Sequence, residues 1–185
     1  MRSKTDAFLH VVASNHNGFV SSYIERLRWM HDDKNRYIGS VLYAMLVEEM
    51  RRLNPIKVEA ESPDCVQLWI NNAKILNVRA YGRKHLLLLP EKSKHTVLLS
   101  MHGDVATGGK STRSMQAFRK FNHRIMIGHT HSAAILATVW RVGVSTPLTQ
   151  TYIQAPATSW TNTHGVIFKN GQRQLLNVIK GRYHG

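Results

Sequence analysis

Three short segments hold the side chains best suited to chemistry: Ser14-Asn15-His16-Asn17, Met101-His102-Gly103-Asp104 and Gly128-His129-Thr130-His131. Each closes an apolar run that reads as a strand, so each would stand at a strand's C-terminal edge. That edge is where open α/β sheets place their ligands. In an extended turn His129 and His131 would point the same way, with Gly128 allowing the backbone to bend close to whatever they hold. Together with His102 and the amide oxygen of Asn15 they form a mixed nitrogen and oxygen donor set. Such a set suits Mn, Fe, Zn or Ni better than Mg or Ca. Alone, each segment is weak. In a chain of 185 residues with eleven histidines, a His-x-His pair arises readily by chance, and His-Gly-Asp is more often a plain turn. Their order, each after a strand, is what raises them above chance.

The elements that must position these groups follow from periodicity. Residues 8–13 read as a short buried strand ending at a polar turn over residues 14–18. Phe19 to Met30 reads as a helix, with Asp32, Asp33 and Asn35 as caps for the next. Ile38, Val41, Leu42, Met45, Leu46, Met50 and Leu53 form one helical stripe closed by Asn54-Pro55. This stripe reads as core packing. Beyond Pro63 the texture turns to strands: an alternation of Val66, Leu68 and Ile70, a turn at Asn71-Asn72, and then Lys74 to Val78. Further strands are expected at His85–Leu89, Thr96–Met101, Arg124–Ile127, Ile135–Val142, Gly165–Phe168 and Gln174–Ile179, with a helix over Lys110–Phe121. Asn170-Gly171 signals a hairpin. The expectation is one α/β domain over residues 1–185, mainly helical to about residue 60 and mainly strands over 64–185.

Twenty-five Lys and Arg against eleven Asp and Glu leave a net charge of +14. A surplus of this size favours a polyanionic partner, because each neutralised phosphate releases condensed counterions. A single cysteine, Cys65, excludes an internal disulfide and any cysteine-rich zinc module, and reads as a small buried residue in a reducing compartment. The longest aliphatic run, Leu86 to Leu89, is far too short for a bilayer, and no signal peptide is legible. A cytoplasmic protein without a membrane partner is expected.

Taken in order, Ser-Asn-His-Asn, a later His-Gly-Asp and Gly-His-Thr-His resemble the third, fourth and fifth motifs of the calcineurin-like metallophosphoesterases. That family's pattern is Gly-Asn-His-Asp/Glu, then a lone His, then Gly-His-x-His. Residues 159–164 and 168–175 resemble phage-encoded members in particular, some of which are nucleases and would act in the host cytoplasm. The resemblance implies part of a β-sandwich of mixed sheets flanked by helices, and two divalent cations, Mn2+ foremost, with Zn2+, Fe or Ni2+ as alternatives. It further implies that Asn15, His102 and His129 bind one cation and His131 the other. His16 would instead sit over the scissile phosphate as the catalytic group. In the family, two cations polarise the phosphoryl group and lower the pKa of a bridging water, while an imidazole helps the alkoxide leave.

The family also carries Asp-x-His and Gly-Asp-x-x-Asp upstream of Asn-His, and neither pattern occurs in this chain. The implied expectation is a site completed by a missing or separately encoded N-terminal half, with a companion polypeptide or a homo-oligomer covering the exposed face of a partial sheet. A degenerate relative that only binds is the third reading. Ser14 stands where the family has Gly, and Asn17 where it has an acid, which would weaken the orientation of His16.

Four further residues are candidates for substrate contact. Lys110 and Arg113 flank a glycine-rich turn into a helix and would meet a phosphate there, although a solvated capped helix explains them as well. The first Gly of a nucleotide-binding P-loop is missing. Trp160 and His164 would stack on or touch a base, against the plainer reading of a core tryptophan. The leading expectation is a metal-dependent phosphodiesterase, a nuclease acting on nucleic acid. The alternatives are a phosphomonoesterase and a non-catalytic nucleic-acid-binding relative.

Overall fold

The computed structural model describes residues 8–52, 64–75, 77–82, 85–91, 93–99, 102–106, 113–148 and 158–184. The class is mixed α/β, with small sheets and helices, and the chain divides into two compact units, Met1–Arg83 and Lys84–Gly185.

In the first unit, β1 (Leu9–Val12) pairs in parallel with β2 (Val78–Tyr81), Leu9 opposite Val78 and Val12 opposite Tyr81. Between them run α1 (Asn15–Glu25), a 3-10 turn (Arg28–His31), α2 (Arg36–Arg52) and α3 (Cys65–Asn72). Three sequence expectations fail here. The polar segment after β1 is no turn: Ser14 caps α1 and the helix begins at Asn15. The helix then stops before Met30, because Leu27 adopts a left-handed φ of 56° that starts the 3-10 turn. Residues 65–72 are helix and not strand. Asp64 accepts hydrogen bonds from the Val66 and Gln67 N–H groups, both at 2.9 Å, and this cap outweighs a three-residue alternation too short to define a period.

Ile24, Leu46 and Cys65 form the buried centre of this unit, with Val20, Tyr23, Trp29, Leu42 and Leu68 packed around them. The α2 stripe is therefore core only in its middle, since Ile38 and Met50 are exposed. Gly39 is required there: an added Cβ would collide with the Trp29 side chain. Leu53 and Asn54-Pro55 lie outside the described residues.

The second unit holds a five-stranded mixed sheet in the order β3-β4-β5-β7-β6, made of Leu88–Leu89, Val97–Leu98, Arg124–Ile127, Val139–Arg141 and Ala134–Leu136. β4, β5 and β7 are parallel, and β3 and β6 run antiparallel at the edges. The single strand expected over 135–142 is a hairpin, reversed at Ala137, whose φ is 51°. Helix α4 (Met115–Arg119) is shorter than expected, and residues 107–112 lie outside the described set. Phe118 and Met115 of α4 pack on Leu98, Ile125, Ile127 and Val139, the core of the unit. A three-stranded antiparallel sheet follows, β8 (Thr163–Ile167), β9 (Arg173–Ile179) and β10 (Arg182–His184), in the order β10-β9-β8. The β8–β9 hairpin turns at Asn170-Gly171 as expected, with Gly171 at φ 79°. Strand β10 has no counterpart in the expectations; Lys180 and Gly181, both at positive φ, make the two-residue turn before it. Among the described residues no helix is long and apolar enough to cross a membrane.

Candidate functional site

Parallel pairing of β4 with β5 sets Leu98 opposite Ile125, so both strands end on one edge of the sheet. The segments leaving that edge are tied to each other. The Gly128 N–H donates to the His102 carbonyl at 2.9 Å. Gly103, at φ 111°, lies so close to Gly128, Ile127 and His129 that a Cβ would need its neighbours to give way. As a result the His102 and His129 rings meet edge to face, with centroids 5.2 Å apart. Two residues distant by 27 in sequence are thus neighbours because two adjacent strands end together.

The Gly128–His131 segment is not an extended turn. His129 has φ 73° and His131 φ 66°, both left-handed. Such residues cost on the order of 1 kcal/mol each and cluster where function maintains them. The His131 ring packs on Trp160 with centroids 4.2 Å apart, and its carbonyl accepts from the Thr161 N–H at 3.0 Å. His129 and His131 therefore take different ring neighbours. Between them, the Thr130 hydroxyl is buried and has no hydrogen-bond partner among the described residues.

In the first unit, the Asn15 side-chain oxygen is also buried without a partner among the described residues. His16 is exposed, its ring edge to face with Phe19 at 5.6 Å. A capping box accounts for both Ser14 and Asn17. Ser14 Oγ accepts from the His16 N–H at 3.1 Å, and the Ser14 N–H donates to Asn17 Oδ1 at 3.3 Å. The Asn17 amide then donates to Asp64 at 2.8 Å, linking the starts of α1 and α3. Asn17 is thus committed to the helix start. A serine followed three residues later by a side-chain acceptor, Asn17, is a cap signal legible in the sequence.

Of the substrate candidates, Arg113 and His164 are exposed, and Lys110 lies outside the described residues. Trp160 lines a cavity of about 440 Å³ together with Asn162, Asn177 and Lys180.

The fit to divalent cations is partial. The His102–His129 pair and the orphaned Asn15 oxygen suit ligand roles taken one at a time. Among the described residues, however, no group of three or more His, Cys, Asp or Glu is arranged to hold a metal ion. The charge is unevenly shared. The second unit has thirteen Lys and Arg against Glu91 and Asp104 alone, a balance of +11, and the first unit carries +3. Within the second unit, burial and the neighbouring Arg124 lower the Arg173 pKa to about 10, still fully charged at neutral pH.

No family model matches the chain, and no solved structure does. Over 83 residues it is 35% identical to Protein A1 of Escherichia phage T5. The matched stretch covers 45% of this chain and 14% of that protein, a phage relative of which the chain spans only a small part.

Proposed function

We propose that this chain contributes the histidine-bearing half of a metal-dependent phosphoesterase centre acting on nucleic acid as a phosphodiesterase. The observation that carries the reading is the His102–His129 pair, assembled at the shared C-terminal edge of β4 and β5 and locked by the Gly128–His102 hydrogen bond. Strand-edge crevices are where α/β sheets bind ligands, and paired imidazoles suit a Mn or Zn class cation. Left-handed His129 and His131 place backbone strain in the same segment. The charge surplus supports nucleic acid as the substrate class. In this reading Asn15 and His131 are further ligands, His16 faces the scissile phosphate, and the sheets belong to a metallophosphoesterase-type sandwich.

Neutral donors hold a dication weakly, and this chain contains no Asp-x-His or Gly-Asp-x-x-Asp. The centre therefore requires carboxylates from beyond these 185 residues, supplied by a further N-terminal segment or by a separately encoded polypeptide. Hydrolysis of a bis(nitrophenyl) phosphate ester with Mn2+ tests the proposal. Turnover is expected when a companion bearing both acidic motifs is added, and it should vanish in His102→Ala and His129→Ala. Turnover that survives both substitutions sinks the site.

A second reading, a non-catalytic nucleic-acid-binding relative, is favoured by the absence of a three-group cluster among the described residues. Salt-sensitive DNA binding with no turnover under any condition would select it. Turnover confined to phosphate monoesters would select a phosphomonoesterase instead.

A further inference from the structure

The parallel strands β4, β5 and β7 have a second edge, where they begin, and it carries two arginines in an unusual setting. Arg124 opens β5, and its Nη1 donates to the Gly171 carbonyl at 2.9 Å. Gly171 presses against the His95 backbone so closely that a Cβ would collide with it, which fixes the β8–β9 turn against the start of β4. Arg173 opens β9, and its Nη1 donates to the carbonyls of Ile125 and Thr138 at 2.9 and 2.8 Å. Its guanidinium lies over the Trp140 ring, 4.5 Å from the centroid.

Both cations are half-buried, and neither makes an ion pair with any described residue. The unit has only two acids, and one of them, Asp104, follows β4 at the opposite edge. Burial, and after it the charge of Arg124, lower the Arg173 pKa, so the two guanidiniums lie close enough to repel each other. Backbone carbonyls and an aromatic ring fix where these groups sit. They occupy one nitrogen of each fork and supply no negative charge, so donors remain for an anion. Planar guanidinium forks match phosphate geometry.

We infer that Arg124 and Arg173 together grip a backbone phosphate of a polynucleotide, at the edge of the sheet opposite His102 and His129. From Arg124 to His129 is five residues along and just beyond β5, roughly 15 Å at the strand rise. Phosphates of one strand of B-form DNA recur every ~3.4 Å along the helix axis. The grip and the histidine pair are therefore several nucleotides apart, and a mononucleotide or small ester cannot touch both. This deepens the proposed function by naming a polymer as substrate, and it rests on that reading for the role of the histidines only.

The test is binding of a fluorescent oligonucleotide across a salt series, with chelator present so that hydrolysis plays no part. Arg124→Gln and Arg173→Lys are compared with wild type and with Arg182→Gln, an equal or greater loss of charge at the far end of β9. In Arg124→Gln the log–log salt slope should shrink by about 0.7 to 0.9, the share of one phosphate contact. Arg173→Lys keeps the charge but loses the fork, so it should weaken binding with little change in slope. Arg182→Gln should leave the slope unchanged. A slope in Arg124→Gln equal to wild type, or an equal loss in Arg182→Gln, overturns the inference. Should Arg173→Lys fail to fold by circular dichroism, Arg124→Gln decides alone. None of these outcomes depends on turnover, so a failed hydrolysis assay leaves the clamp standing, and a failed clamp leaves the histidine centre to its own test.

Discussion

Asn15 and His16 are adjacent yet meet different surroundings, the first with a buried oxygen, the second with an exposed ring. A buried acceptor left unmet costs about 1–3 kcal/mol, which a bound cation would recover under the proposed function, whereas His16 stands exposed at the surface. The two roles separate by measurement. If the proposed phosphoesterase function holds, His16→Gln should lower kcat by about 10²- to 10⁴-fold with Mn2+ affinity unchanged in calorimetry. Equal loss of metal affinity would make His16 a ligand and reverse the assignment. Ser14 acts on the same turn through structure alone. Ser14→Ala removes the cap on His16 N–H and should cost about 1 kcal/mol in denaturant melts, while Ser14→Gly should cost only a few tenths.

At the scale of elements, the β8–β9 hairpin and the α1–α3 pair are the most exacting. Gly171 combines φ 79° with a backbone contact that admits no side chain. Gly171→Ala should therefore destabilise the second unit by more than the ~1 kcal/mol that a left-handed alanine alone costs. A melting temperature equal to wild type would show that the turn relaxes freely. Cys65 heads α3 at full burial, and desolvation raises its thiol pKa. Its alkylation at pH 8 should be slow in the native protein and rapid in denaturant. Fast native alkylation would contradict the packing of α3 against Ile24 and Leu46. Strand β5, with three of its four residues buried, was plain from its apolar run, as was the Asn170-Gly171 turn. Residues 65–72 were not, because a short apolar run is compatible with helix or strand until its cap is counted.

Across the whole molecule, charge is the property with the widest reach. Fourteen surplus positive charges were legible from composition, but their gathering into the second unit needed the contact pattern that divides the chain at Arg83. If nucleic acid is the partner, neutralising three basic side chains of the second unit, outside the arginine pair and Arg182, should weaken low-salt DNA binding more than neutralising three in the first. Equal losses in anisotropy titrations would mean that only total charge matters. By itself the sequence determined the order of the Asn-His, His-Gly and Gly-His-Thr-His segments, the apolar strands that precede them and the basic balance. These are local or additive properties. Tertiary structure alone decided that His102 meets His129, that His131 turns to Trp160 and that Arg124 neighbours Arg173. Each of those contacts joins segments 27 or more residues apart through strand pairing and left-handed turns, which no local propensity encodes.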